Sequence, residues 1–129
     1  IRSDFPGGWK GDAVNAFTGK GLTADQQNTQ VYLKKLLQWR KNASVIHHGK
    51  TLHFAPFEQV YVYFRFTENK MVMVVLNKND KAKTIDNLRF AEILGNKKTG
   101  VNVITGEKIE LTKPFQVAAK SAQVFEIDN

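Results

Sequence analysis

From residue 44 to the end of the chain, apolar and polar residues alternate with a period of two, interrupted at intervals by turn-forming residues. The clearest run is Val60-Tyr61-Val62-Tyr63-Phe64-Arg65-Phe66. In an extended chain Val60, Val62, Phe64 and Phe66 share one face, and Tyr61, Tyr63 and Arg65 share the other. Glu68-Asn69 then reads as a turn into Met71-Val72-Met73-Val74-Val75-Leu76, so these two segments are expected to form a hairpin. Residues 51 to 54 make a shorter strand, stopped by Pro56. Residues 101 to 104 and 109 to 111, joined by Thr105-Gly106-Glu107-Lys108, predict another hairpin, and residues 115 to 118 and 123 to 127 supply the last strands. Residues 84 to 94 carry apolar positions at Ile85, Leu88, Ala91, Ile93 and Leu94 that fit a strand or a helical turn equally well. Short strands separated by regular turn signals point to an antiparallel sandwich or barrel.

Before residue 44 the pattern changes. Residues 18 to 22 are loop by their glycines. Thr23 and Gln26 form a Thr-x-x-Gln capping box ahead of a helical repeat. Tyr32, Leu36 and Trp39 fall on one helical face, which Leu33 and Leu37 widen; Lys34, Lys35, Gln38 and Lys41 take the opposite side. The spacing predicts a helix over residues 24 to 42, with Arg40 and Lys41 favourably placed at its C-terminal end. A helix with so apolar a face needs a surface to pack on. The fold class is therefore mainly β, an antiparallel sheet domain preceded by a loop and one α-helix. Residues 1–43 and 44–129 are expected to be its two parts.

The chain has 129 residues, 42% hydrophobic and 24% charged, which suits one compact domain with an appendage. It has no Cys, which excludes disulfides and thiolate metal sites. No apolar run approaches the roughly 18 residues that span a bilayer. The net charge of +7 raises the question of nucleic acid. However, the lysines are scattered among turns at Lys78, Lys81, Lys83, Lys97, Lys98, Lys108 and Lys113, and do not form a stripe on one element. No nucleic-acid partner is expected.

Candidate chemistry is sparse. The acidic residues Glu68, Asp80, Asp86, Glu107 and Asp128 fall in turns or near the terminus, and no spacing implies the facing carboxylates of a glycosidase. His47, His48 and His53 lack the further ligands of a metal centre. There is no phosphate loop or nucleophile elbow. No metal or other cofactor is expected. Tyr61 and Tyr63 could present aromatic area for stacking on sugar rings; the plainer reading is that they cover a neighbouring element such as the helix. The N-terminal run Asp4-Phe5-Pro6-Gly7-Gly8-Trp9 combines permissive backbone, a large ring and charges from Arg2, Asp4 and Asp12. It reads either as a functional loop or as a structural turn anchored by Phe5 and Phe17.

Several runs resemble a known family. Ile1-Arg2-Ser3-Asp4-Phe5-Pro6-Gly7-Gly8-Trp9, Gly11-Asp12 and Asn15-Ala16-Phe17 resemble the segment after the last barrel strand of neopullulanase and cyclomaltodextrinase-type enzymes of glycoside hydrolase family 13, the α-amylase family. Leu36-Leu37-Gln38-Trp39-Arg40-Lys41 is similar to the end of the last helix of that (β/α)8 barrel. Ile46-His47-His48-Gly49-Lys50 and His53-Phe54-Ala55-Pro56 resemble the start of the C-terminal β-domain. Val74-Val75-Leu76-Asn77 resembles a strand that in this family ends on Asn, and Val103-Ile104-Thr105-Gly106 and Val124-Phe125-Glu126-Ile127 also fit.

The resemblance implies an eight-stranded Greek-key β-sandwich that packs on the barrel of the same polypeptide and stabilises it. It further implies a parent that hydrolyses α-glucosidic bonds of starch, pullulan or cyclodextrins with retention. The parent is expected to be periplasmic or secreted. The nucleophile, the acid/base and the transition-state carboxylate of the family lie in barrel segments with no counterpart here. The chain is thus expected to be the non-catalytic tail of a larger protein. Arg2, Asp4 and Trp9 would sit at the barrel rim and shape an outer substrate subsite. Without the barrel, the helix stripe is expected to fold back, dimerise or swap. The rival readings are a stand-alone glycan-binding module, using Tyr61, Tyr63, Trp39 or Trp9 as platforms, and a basic nucleic-acid binder.

Overall fold

A computed structural model describes residues 4–127. The chain forms two compact units, residues 1–38 and 39–129. The first contains the N-terminal loop and most of helix α1 (Ala24–Asn42). The capping box forms as the sequence predicts: Thr23 N–H donates to Gln26 Oε1 at 2.9 Å and Gln26 N–H to Thr23 Oγ1 at 3.3 Å. Two orphan amides at the helix start are thereby satisfied. None of the residues of α1 is fully buried, and Leu33 and Leu37 are about half exposed.

The second unit opens on the last turn of α1 and continues through the short helix α2 (Ser44–His48). Among the described residues it then contains eight strands, β1 (Lys50–His53), β2 (Val60–Phe66), β3 (Met71–Asn77), β4 (Lys83–Ile85), β5 (Thr99–Asn102), β6 (Lys108–Glu110), β7 (Phe115–Val117) and β8 (Ser121–Ile127). Six strands form one sheet in the order β1-β2-β3-β8-β5-β6, and β4 pairs with β7 in a second. Every pairing is antiparallel. The chain leaves the large sheet after β3 and again after β6, and β8 returns to the gap between β3 and β5. These are crossovers of the Greek-key kind.

The period-two pattern places the core. Val60, Val62 and Phe64 of β2 and Met71, Met73 and Val75 of β3 point inward with Phe125 and Ile127 of β8. Ile85 and Val117 meet them from the second sheet. Each large side chain buried here contributes about 2–3 kcal/mol from area removed from water. Phe54, Phe64 and Phe90 form a cluster with ring centroids 4.8 to 5.9 Å apart, in edge-to-face and tilted geometry.

The ambiguous stretch 84 to 94 turns out to hold both structures. After β4 the Asp86 side chain accepts the Leu88 amide, starting a 3₁₀ turn, Asn87–Phe90, that leads into the short helix α3 (Ala91–Leu94). The hairpin expected over residues 101 to 111 is displaced toward the N-terminus and closes at Asn102. Its buried Oδ1 accepts the amides of Ile104 and Thr105 and curls the chain out of the strand.

A second buried asparagine joins the sheets. Asn77, 3% exposed, donates Nδ2 to the carbonyls of Lys81, Val117 and Ala118, and its Oδ1 accepts from Asn79. This gives a physical reason for an Asn at the end of β3. A primary amide supplies donors and an acceptor to the chain where β7 ends and to the loop after β3. Asn77→Ala strands buried carbonyls and should cost about 2–4 kcal/mol. Urea unfolding would measure it, and an unchanged midpoint would show that water replaces these bonds.

Candidate functional site

The residues proposed from sequence divide between the two units. In the first, the loop is braced by its own polar side chains. Asp12 Oδ2 accepts the amides of Gly7 at 2.8 Å and Trp9 at 3.2 Å. Asn15 Oδ1 accepts those of Phe17 and Thr18. Phe5 and Phe17 meet edge to face with centroids 5.2 Å apart, the anchoring contact of a structural turn. Gly7 has φ +94, and a Cβ there would lie 2.6 Å from the Asn15 side chain, so no other residue fits. On this brace Asp4 is exposed and Trp9 is 70% exposed. Arg2 lies outside the described residues. Asp12 is thus a structural acceptor, a role its position three residues after Trp9 permits but does not reveal.

In the second unit, Tyr61 and Tyr63 point to the outer face of the large sheet, opposite the core, as the alternation requires. Their rings are 5.6 Å apart and both are partly buried. Tyr61 Oη approaches His53 Nδ1 at 3.4 Å. Burial pushes the Tyr63 phenol above its ordinary pKa of 10.0; the neighbouring Tyr61 adds to the rise and Arg65 opposes it.

This outer face is laid out in rows set by strand register. Arg65, Val72 and Glu126 form one row, Tyr63, Val74 and Val124 the next, and Tyr61, Leu76 and Ala122 the last. Over the first row, α2 packs against β2 and β3. Arg65 donates to the Ile46 carbonyl at 2.8 Å and to Thr51, and Trp39 Nε1 donates to Glu126 Oε1 at 2.8 Å. Trp39, expected to serve as a helix-face residue, is therefore also a tie to β8. Gly49, in the run that resembles the start of the family's β-domain, closes α2. A Cβ on it would collide with the carbonyls of Val45 and Phe66.

Along β3 the outer residues change from Val72 (0% exposed) through Val74 (6%) to Leu76 (37%). At that open end a groove of about 550 Å³ runs over Tyr61, Leu76 and Ala122, with Gln59, Lys78 and Ser121 at its edges. Tyr63 lies outside it. The groove was not legible in the sequence, because its floor comes from three strands that meet only through the β3–β8 crossover.

His47 and His48 are exposed at the end of α2, with His47 Nε2 2.9 Å from the Arg40 carbonyl. No three His, Cys, Asp or Glu side chains converge among the described residues. No described helix is long and apolar enough to cross a membrane.

The sheet unit matches a described family over most of its length. The profile of the cyclo-malto-dextrinase C-terminal domain covers residues 51–126. The chain belongs to that family. It is a C-terminal domain of the glycoside hydrolase family 13, or α-amylase, enzymes. The chain is 27% identical over 118 residues to a cyclomaltodextrin glucanotransferase of Bacillus sp. (strain 1-1), covering 85% of this chain and 17% of that protein. Among solved structures, a variant of AmyP in complex with maltotriose aligns with a TM-score of 0.72 at 15% identity, over 84% of this chain and 22% of that one. An Anoxybacillus α-amylase aligns with a TM-score of 0.66 at 14% identity, over 85% and 24%. The chain therefore spans a quarter or less of each of these relatives.

The partly buried phenol in the domain sets a pH limit. With its folded pKa above the unfolded value of 10.0, Tyr63 retains its proton longer in the native state. Stability is then fully present below about pH 10 and falls as pH rises from the unfolded pKa toward the folded one. Tyr63→Phe should flatten that alkaline decline, read from urea midpoints between neutral and strongly alkaline pH. An identical decline in the variant would assign it to another group.

Proposed function

We propose that this chain is the closing segment of an α-amylase-type enzyme acting on α-glucosidic bonds of starch, pullulan or cyclodextrins. In this reading residues 1–43 complete the (β/α)8 barrel, and residues 44–129 form a non-catalytic β-domain that packs on the barrel and stabilises it. The observation that carries it is the C-terminal-domain match over residues 51–126, together with an alignment that spans 85% of this chain but 17% of the glucanotransferase. The names of the relatives, a cyclomaltodextrin glucanotransferase and an α-amylase, support α-glucan as the parent's substrate class.

The chemistry of the carboxylates supports the non-catalytic role. A retaining glycosidase needs two carboxyl groups about 5 Å apart across a cleft. In this chain Glu58 pairs with Lys83, Glu110 with Lys113 and Asp80 with Lys120. Asp86 caps a turn, Glu126 accepts from Trp39, and Asp12 braces the loop. Each has a structural partner. Asp4 and Trp9, with Arg2, remain the residues we assign to the barrel rim, where active-site loops of such barrels gather.

The helix supports the packing role. Leu33 and Leu37 are about half exposed on a helix with no buried residue, an apolar stripe that suits a partner surface. In the isolated chain this stripe should pair with a second copy. Sedimentation should then show a dimer that a Leu33→Glu, Leu37→Glu variant converts to monomer; a wild-type monomer would contradict the pairing.

The chain alone should release no reducing sugar from pullulan, starch or β-cyclodextrin. In the full polypeptide, removal of residues 44–129 should lower the thermal-inactivation midpoint by about 5–10 °C, equivalent to a few kcal/mol. Hydrolysis by the chain alone, or an unshifted midpoint after removal, would overturn this assignment.

A further inference from the structure

We draw no further inference here: the strongest candidate, the open crevice of about 640 Å³ between residues 87–98 and the segment joining β6 to β7, is rimmed by the surface lysines Lys98 and Lys113, the buried Asn87 Oδ1 at its wall is closed to solvent, and nothing in the structure shows what covers it.

Discussion

Strand β3 is buried on both faces over most of its length, and the rest of the domain is arranged to meet that condition. Met71, Met73 and Val75 are covered by the second sheet and the aromatic cluster. Val72 and Val74 point the other way and are covered too. A strand of the central sheet that is apolar on both sides cannot face water on either. Something outside the sandwich has to shield the outer side, and at the Val72 end the segment from Trp39 to His48 does so. This explains why the second compact unit begins at Trp39, inside helix α1, and not at the first strand. The last helical turn and α2 belong to the sheet because β3 requires them.

The shield is held by polar ties, and these direct it to one place. Arg65 is fixed by the Ile46 carbonyl and Thr51, and Glu126 by the Trp39 indole. Apolar contact alone would let a five-residue helix slide over a flat strand surface; directional bonds from a guanidinium and an indole set its register. Gly49 allows the chain to turn tightly from α2 into β1 where any side chain would strike the Val45 and Phe66 carbonyls. At the other end of β3 the same problem is solved by Asn77, which donates to the carbonyls of Lys81, Val117 and Ala118, at the end of β7 and in the adjoining loops. One end of the strand is closed by a helix and the other by an amide hub. The surface between the shield and the hub is where Leu76 becomes exposed.

Much of this could be read from the residues, and the exceptions share a cause. Alternation over residues 60 to 66 set both faces of β2, because a period of two leaves no freedom in side-chain direction. The Thr23–Gln26 box placed the start of α1 because capping is local. The open or shifted readings fall where one side chain bonds its own backbone. Asp86 turned an apolar run into a 3₁₀ turn, Asn102 ended a strand two residues early, and Asp12 served a loop as a brace. Asx residues compete with regular structure through bonds that hydrophobic periodicity does not register. For the candidate site, the sequence identified Tyr61 as outward-facing but could not separate it from Tyr63. That distinction depends on which rows the shield reaches, and the shield comes from a segment more than ten residues upstream.

The dependence of β3 on Trp39 and α2 makes the segment before the first strand part of the sheet unit. The final turn of helix α1 (Ala24–Asn42) contributes the indole that meets Glu126. Unwinding that turn would remove the tie to β8 and loosen the cover over Val72. Unfolding the sheet would in turn leave Trp39 and α2 without the surface they pack on. The final helical turn and the sheet therefore gain and lose structure together.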